Sequence, residues 1–190
     1  NEEIFSLNEL AGIFDYHHMS KSPAVFDYTK LKWMNGEYMK AMDEEAFYKM
    51  ALPYIRQAVS KDMDTVKLAA MVKTRIEILP DIPGLLDFLQ ELPEYEERTH
   101  TESVTLNSKS KDMESVLALL PEQKEFVTDD GLAGILAKKG CKNGYVLWPV
   151  RTAVSGKQMT PAGATEIMEL LGKEESISRI RKGIMLLERA

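Results

Sequence analysis

The sequence predicts an all-α fold. Apolar residues recur at three- and four-residue spacing in segment after segment, and several of those segments follow a Ser, Thr or Asp able to cap a helix. No stretch reads as a β-strand. Ser6 with Glu9 three residues later forms a capping box ahead of a short apolar helix ending near Phe14. Ser22-Pro23 marks an extended turn, because the residue before proline is driven out of the helical region. Asp27 is placed to cap a helix bearing Leu31, Trp33 and Met34, which Asn35-Gly36 is expected to interrupt before the spacing resumes at Tyr38, Met39 and Met42.

Asp43 caps the next helix, whose Glu44 and Glu45 suit the positive end of its dipole and whose Pro53 should kink or divide it. Val66, Leu68, Ala69, Val72 and Ile76 carry the 3.6-residue period of a helix over about 63–78, stopped by Leu79-Pro80. A short apolar helix follows through Leu85, Leu86, Phe88 and Leu89. From 91 to 111 the chain turns polar and reads as a connection between two helical domains. Beyond it come a helix over 113–120 stopped by Pro121, one capped by Thr128 and closed at Gly140, and one over 146–154. Thr160-Pro161 places a capping Thr before a first-turn Pro, and that helix ends at Gly172 before a last one over 174–187.

The 190 residues suffice for one domain or two small ones, and 44% hydrophobic with 28% charged residues is a globular composition. No apolar run approaches the ~20 residues of a membrane span, and the N-terminus lacks the basic and apolar regions of a signal peptide. A single cysteine, Cys141, excludes an internal disulfide and fits a reducing, cytoplasmic setting. The chain starts at Asn1 rather than Met and reads as a piece of a longer protein. Its net charge of −6 does not favour nucleic acid as a whole, so such a partner must be held by a local patch.

One patch qualifies. Between Gly131 and Thr165 there is no Asp or Glu, yet Lys138, Lys139, Lys142, Arg151 and Lys157 fall inside, interleaved with Tyr145, Trp148 and Pro149. Unstacked bases are read by such mixtures of flat side chains, Arg and backbone groups. The plainer alternative is a solvated basic face.

Other chemistry is thinly supported. His17, His18 and His100 lack the i, i+4 partner of a helical metal site and read as loop histidines; no metal is expected. Cys141 has no nearby His to activate it. Met34, Met39, Met42, Met50, Met63 and Met71 are expected to fill core gaps. His18-Met19-Ser20-Lys21-Ser22 differs by one residue from the KMSKS loop with which class I aminoacyl-tRNA synthetases hold ATP. The chain has neither a Gly-rich loop nor strand–helix alternation to position a nucleotide, so no catalytic residue is assigned in it.

Longer segments carry a resemblance. SKSPAVFDYTKLKWMNGEYM, LPYIRQAV, VKTRIEILPDIPGLLDFL and NGYVLWPVRTAVSGKQMTPAGATEIMELLGKEESISRI occur in the order found in bacterial glutamyl-tRNA synthetases, after their catalytic half. The resemblance implies that 1–42 ends the module contacting the tRNA stem, that 43–92 and 105–190 are two anticodon-binding helical domains, and that 93–104 links them. It implies a glutamate tRNA as partner, no DNA or membrane partner, and a monomer. The whole enzyme of that family joins glutamate to tRNA through a glutamyl-adenylate and uses ATP and magnesium, whereas this stretch carries no cofactor. Two rivals remain at this point: a stand-alone tRNA-binding module, and a helical protein-interaction scaffold.

The resemblance also implies site residues. Arg75 matches the arginine that monitors the last anticodon base, a task suited to a planar, always charged guanidinium, although a helix-end Arg can equally cap carbonyls. Arg151 matches a basic contact of the second domain. Thr160 and Pro161 match loop residues around an unstacked base, and Gly163 stands where relatives carry a larger apolar residue. Lys138, Lys139, Lys142 and Lys157 suit phosphate rather than base contacts. Lys21 and Lys30 are candidates for backbone contact in the stem-contact module.

Overall fold

A computed structural model describes residues 3–19, 22, 25–93, 143–157 and 159–187. Every regular element among them is helical. In chain order they are α1 (Leu7–Ile13), a 3-10 turn (Tyr16–His18), α2 (Tyr28–Ala41), α3 (Glu44–Ala58), α4 (Thr65–Lys73), α5 (Asp81–Gln90), α6 (Asn143–Ser155), α7 (Ala164–Leu171) and α8 (Lys173–Leu187). The helices expected over 113–120 and after Thr128 lie outside the described residues, as do His100 and Cys141.

The helix starts follow the expected chemistry. The Ser6 hydroxyl accepts from the Glu9 N–H at 3.2 Å, and the Glu9 carboxylate accepts from the Ser6 N–H at 2.7 Å. Asp27, Asp43 and Asp64 each accept two backbone N–H groups at the starts of α2, α3 and α4. These bonds satisfy donors that a helix cannot satisfy internally.

Four expectations need correction. Asn35-Gly36 does not interrupt α2: Gly36 is buried, and a Cβ there would meet Ile76 O at 3.3 Å and Glu77 Cα at 3.4 Å. Glycine here admits a crossing backbone, and the Asn35 side-chain amide holds that backbone by donating to Glu77 O at 2.5 Å. Of the two outcomes expected at Pro53, division does not occur: α3 runs through it, with Pro53 on the exposed face, where water can reach the carbonyl it leaves unbonded. The helix expected to reach 78 ends at Lys73, with Arg75 N–H donating to Val72 O at 2.9 Å in a tightened last turn. Ile76 is buried all the same, so a turn residue keeps the apolar period going past the helix end. Finally, Thr160 and Pro161 do not open α7, whose N-cap is Gly163.

Apolar packing organises the rest. Phe47, Ala51 and Ile55 form the buried stripe of α3, against which α4 and α5 pack through Leu68, Val72, Ile82, Leu86 and Leu89. Val150, Ala153 and Val154 line the buried side of α6, which receives α7 (Ile167, Met168) and α8 (Ile180). Gly172, at φ 84°, turns the chain from α7 straight into α8, a conformation in which a Cβ is strained. Of the methionines expected inside, Met39 is buried and Met42, Met63 and Met71 pack on the core, whereas Met50 is 46% exposed. α1 buries nothing.

Candidate nucleic-acid interface

The basic segment folds into α6, a loop, and the start of α7. Leu147, Trp148 and Arg151 of α6 face Gly163, Ala164, Thr165 and Glu166 across an open pocket of about 450 Å³, inside the ~300–1,000 Å³ range of small-ligand sites. Trp148 and Arg151 are one turn apart and therefore share a helix face. The indole is 43% exposed and the Arg151 side chain is half-buried.

The opposite wall is a helix N-terminus. Gly163 has no side chain with which to cap α7, and Glu166 reaches back only to the Gly163 N–H, at 2.9 Å. The first N–H groups of α7 have no intrahelical acceptor and lie at the positive end of the dipole. A flat indole and a guanidinium beside a helix start suit a planar ring, while the exposed Glu166 carboxylate on the same wall favours donor groups of that ring over a phosphate.

The candidate residues fall differently around this pocket. Arg151 and Gly163 line it. Thr160 lies in the preceding loop, its hydroxyl donating to Ala162 O at 2.7 Å, and Pro161 is buried beneath. Beyond them in the chain, Gly163 is exposed whereas Ala162 and Ala164 are buried. Lys157 turns away from it: its ammonium donates to Gly84 O at 2.5 Å and pairs with Asp87 of α5, leaving the side chain only 23% exposed. Arg75 is exposed in the turn after α4 and is not among the pocket residues. Lys138, Lys139 and Lys142 lie outside the described residues, as does Lys21; Lys30 pairs with Glu3 at 3.1 Å.

Trp148, noted in the sequence as a flat side chain of the basic patch but not as a site residue, lines the pocket, as do Leu147, Ala164, Thr165 and Glu166, which the sequence did not single out. The signal for Trp148 was the i, i+3 spacing to Arg151 on an acid-free helix. Among the described residues no group of three or more His, Cys, Asp or Glu side chains could hold a metal ion. His18 Nδ1 lies 3.1 Å from Asp15 Oδ2, and Tyr16 packs on His17 at 3.8 Å. No helix among the described residues is long and apolar enough to cross a membrane.

Comparison with known proteins adds the family. A glutamate–tRNA ligase of Lachnoclostridium phytofermentans is 50% identical over 190 residues, covering 97% of this chain and 39% of the relative. That of Clostridium kluyveri is 44% identical over 193 residues, covering 98% and 40%. The chain thus spans 39–40% of the length of these two relatives. Among solved structures, a glutamate tRNA ligase from Elizabethkingia meningosepticum, in complex with its amino acid, aligns with a TM-score of 0.80 at 26% identity, covering 98% of this chain and 38% of that one. The glutamate-tRNA synthetase of Elizabethkingia anophelis aligns at 0.75 with 27% identity, covering 97% and 37%. The profile of the anticodon binding domain matches residues 46–184, most of the chain, and the chain belongs to that family.

Proposed function

We propose that this chain is the tRNA-gripping, anticodon-reading part of a glutamate–tRNA ligase. The observation that carries the reading is the Trp148–Arg151 face of α6 set over the open N-terminus of α7, inside a stretch matching an anticodon binding domain. On this reading an unstacked anticodon base lies against the indole. Arg151 meets its edge or its phosphate, and the N–H groups of α7 take acceptor atoms. Thr160 and Pro161 hold the loop that presents Gly163. Arg75, exposed at the end of α4, monitors a second base. Lys138, Lys139 and Lys142 contact phosphates.

Residues 43–92 and 105–190 then act as two anticodon-binding domains joined by 93–104, and 1–42 ends a stem-contact module. The whole protein attaches glutamate to its tRNA through a glutamyl-adenylate, with ATP and magnesium used in the part beyond this chain. It works as a cytoplasmic monomer with tRNA, not DNA, as its nucleic-acid partner. The names and identities of the relatives support this assignment.

The test is binding of a fluorescent glutamate-tRNA anticodon stem-loop, at low and moderate salt, to the chain and to Trp148→Ala and Arg151→Ala. Base–aromatic stacking is worth about 1–3 kcal/mol, so Trp148→Ala should weaken binding by roughly 5- to 150-fold. Replacing the anticodon should do comparable harm. Affinity indifferent to the anticodon and to both substitutions would refute the reading.

A further inference from the structure

Arg179, on α8, is the one fully buried charged side chain among the described residues, at 3% exposed. Its Nε donates to Glu175 Oε1 at 2.7 Å, one turn back on the same helix. Its Nη1 donates to two carbonyls 66 residues apart in sequence, Phe88 O at 2.7 Å and Val154 O at 2.9 Å. Phe88 stands in the last turn of α5 and Val154 in the last turn of α6. The last carbonyls of a helix have no intrahelical donor and carry the negative end of the dipole. One guanidinium therefore closes two helix C-termini from a third helix.

This arrangement costs more than apolar packing would. A buried charge loses its hydration, and Nη2 is buried with no hydrogen-bond partner. What an apolar side chain cannot do is define where two helix ends sit relative to each other. Two further cations link the same groups of helices: Lys157 to Asp87 and Gly84 O, and Lys67 to Glu169 at 2.5 Å. Glu169 and Asp87 are more than half exposed, so salt screens those pairs, whereas it reaches Arg179 poorly.

We propose that Arg179 is a positioning residue that fixes α3–α5, with Arg75 at the end of α4, against α6–α8, with the Trp148–Arg151 pocket, so that both engage one anticodon loop. The functional half of this inference rests on the anticodon reading; the geometric half does not. Arginine is required rather than any cation, because its planar fork serves Glu175 and both carbonyls at once, whereas a lysine ammonium is a single point charge.

The test uses the full chain with Cys141→Ser and spin labels at Gln57→Cys and Lys182→Cys, two exposed positions in α3 and α8. Inter-label distances are read by pulsed electron resonance at low and high salt, beside affinity for the anticodon stem-loop. With Arg179 the distribution should be narrow at both salts. With Arg179→Met it should broaden at high salt while circular dichroism stays helical, and RNA affinity should fall about tenfold as the two contacts lose their shared geometry. Arg179→Lys should fall between. A narrow high-salt distribution in Arg179→Met would overturn the proposal; if that variant does not fold, the same result in Arg179→Lys would do so. Broadening without any anticodon dependence in the parent chain would remove the anticodon reading and leave Arg179 as the latch between the helix groups.

Discussion

Gly36 offers a test in which helix propensity and packing pull in opposite directions. Replacing a mid-helix glycine by alanine normally stabilises a helix by about 1 kcal/mol. At Gly84, inside α5, nothing lies within 4 Å of the added methyl, so Gly84→Ala should realise that gain. At Gly36 the methyl would meet Ile76 O at 3.3 Å and Glu77 Cα at 3.4 Å, both backbone atoms. That backbone cannot drift away freely, because Asn35 holds Glu77 O.

Overpacking of this kind costs about 1–3 kcal/mol, so Gly36→Ala should be neutral to destabilising by about 2 kcal/mol. The two variants should differ by about 1–3 kcal/mol, or at least about 2 °C in melting temperature for a chain of this size. Thermal melts followed by circular dichroism, run side by side, read the difference. The crossing also places Arg75, one residue before Ile76. Gly36→Ala should therefore weaken anticodon stem-loop binding in the parent chain and have no further effect in an Arg75→Ala background. Equal stabilisation by the two alanines would refute the close-approach account.

Three other outcomes follow from single contacts. Hydrogen bonds from Ser6, first its hydroxyl and then its backbone N–H, hold the Glu9 carboxyl below its ordinary value of 4.5. The capping contribution is fully present above the ordinary glutamate range and is lost as pH falls through the lowered value; an NMR titration should show Ser6→Ala moving the Glu9 carboxyl back up. Lys157→Met should leave the salt dependence of RNA binding unchanged, because that ammonium is held by α5, whereas Arg151→Ala should reduce the slope of log K against log salt by about 0.7 if it meets a phosphate of the loop. Phe47→Ala, at a side chain 1% exposed, should cost about 3–5 kcal/mol in urea unfolding, since it removes the largest group in the α3 stripe.

Much of the fold was legible because helices announce themselves locally. Ser6, Asp27 and Asp43 cap where their side chains and spacing said they would, and Gly172 ends α7 as a residue free to take positive φ should. What was not legible was decided by distant partners. Asn35-Gly36 has the composition of a helix breaker, and only the non-helical backbone at 76–77, passing close to Gly36, shows why it stays within α2. The 63–78 period ran past the true helix end because burial of Ile76 continues the pattern without continuing the helix. Thr160-Pro161 matched a helix start, but Gly163 with Glu166 reaching back takes that place three residues later.

The site shows the same division between local signal and distant partner. An acid-free basic segment signals a polyanion surface, but a count of cations does not say which of them face outward. Arg151 lines the pocket beside Trp148, whereas Lys157 joins α5 and helps tie the two helix groups together. The most buried of those ties, Arg179, lies outside the basic segment, and no pattern in the sequence marks it. Only the folded chain brings the last turns of α5 and α6 to it. Recognition of a loop by two helix groups needs both the groups that touch the ligand and the groups that fix their separation. The first kind leaves a compositional trace, because a polyanion selects charge and flatness along a continuous surface. The second leaves none, since one arginine placed by tertiary structure is enough.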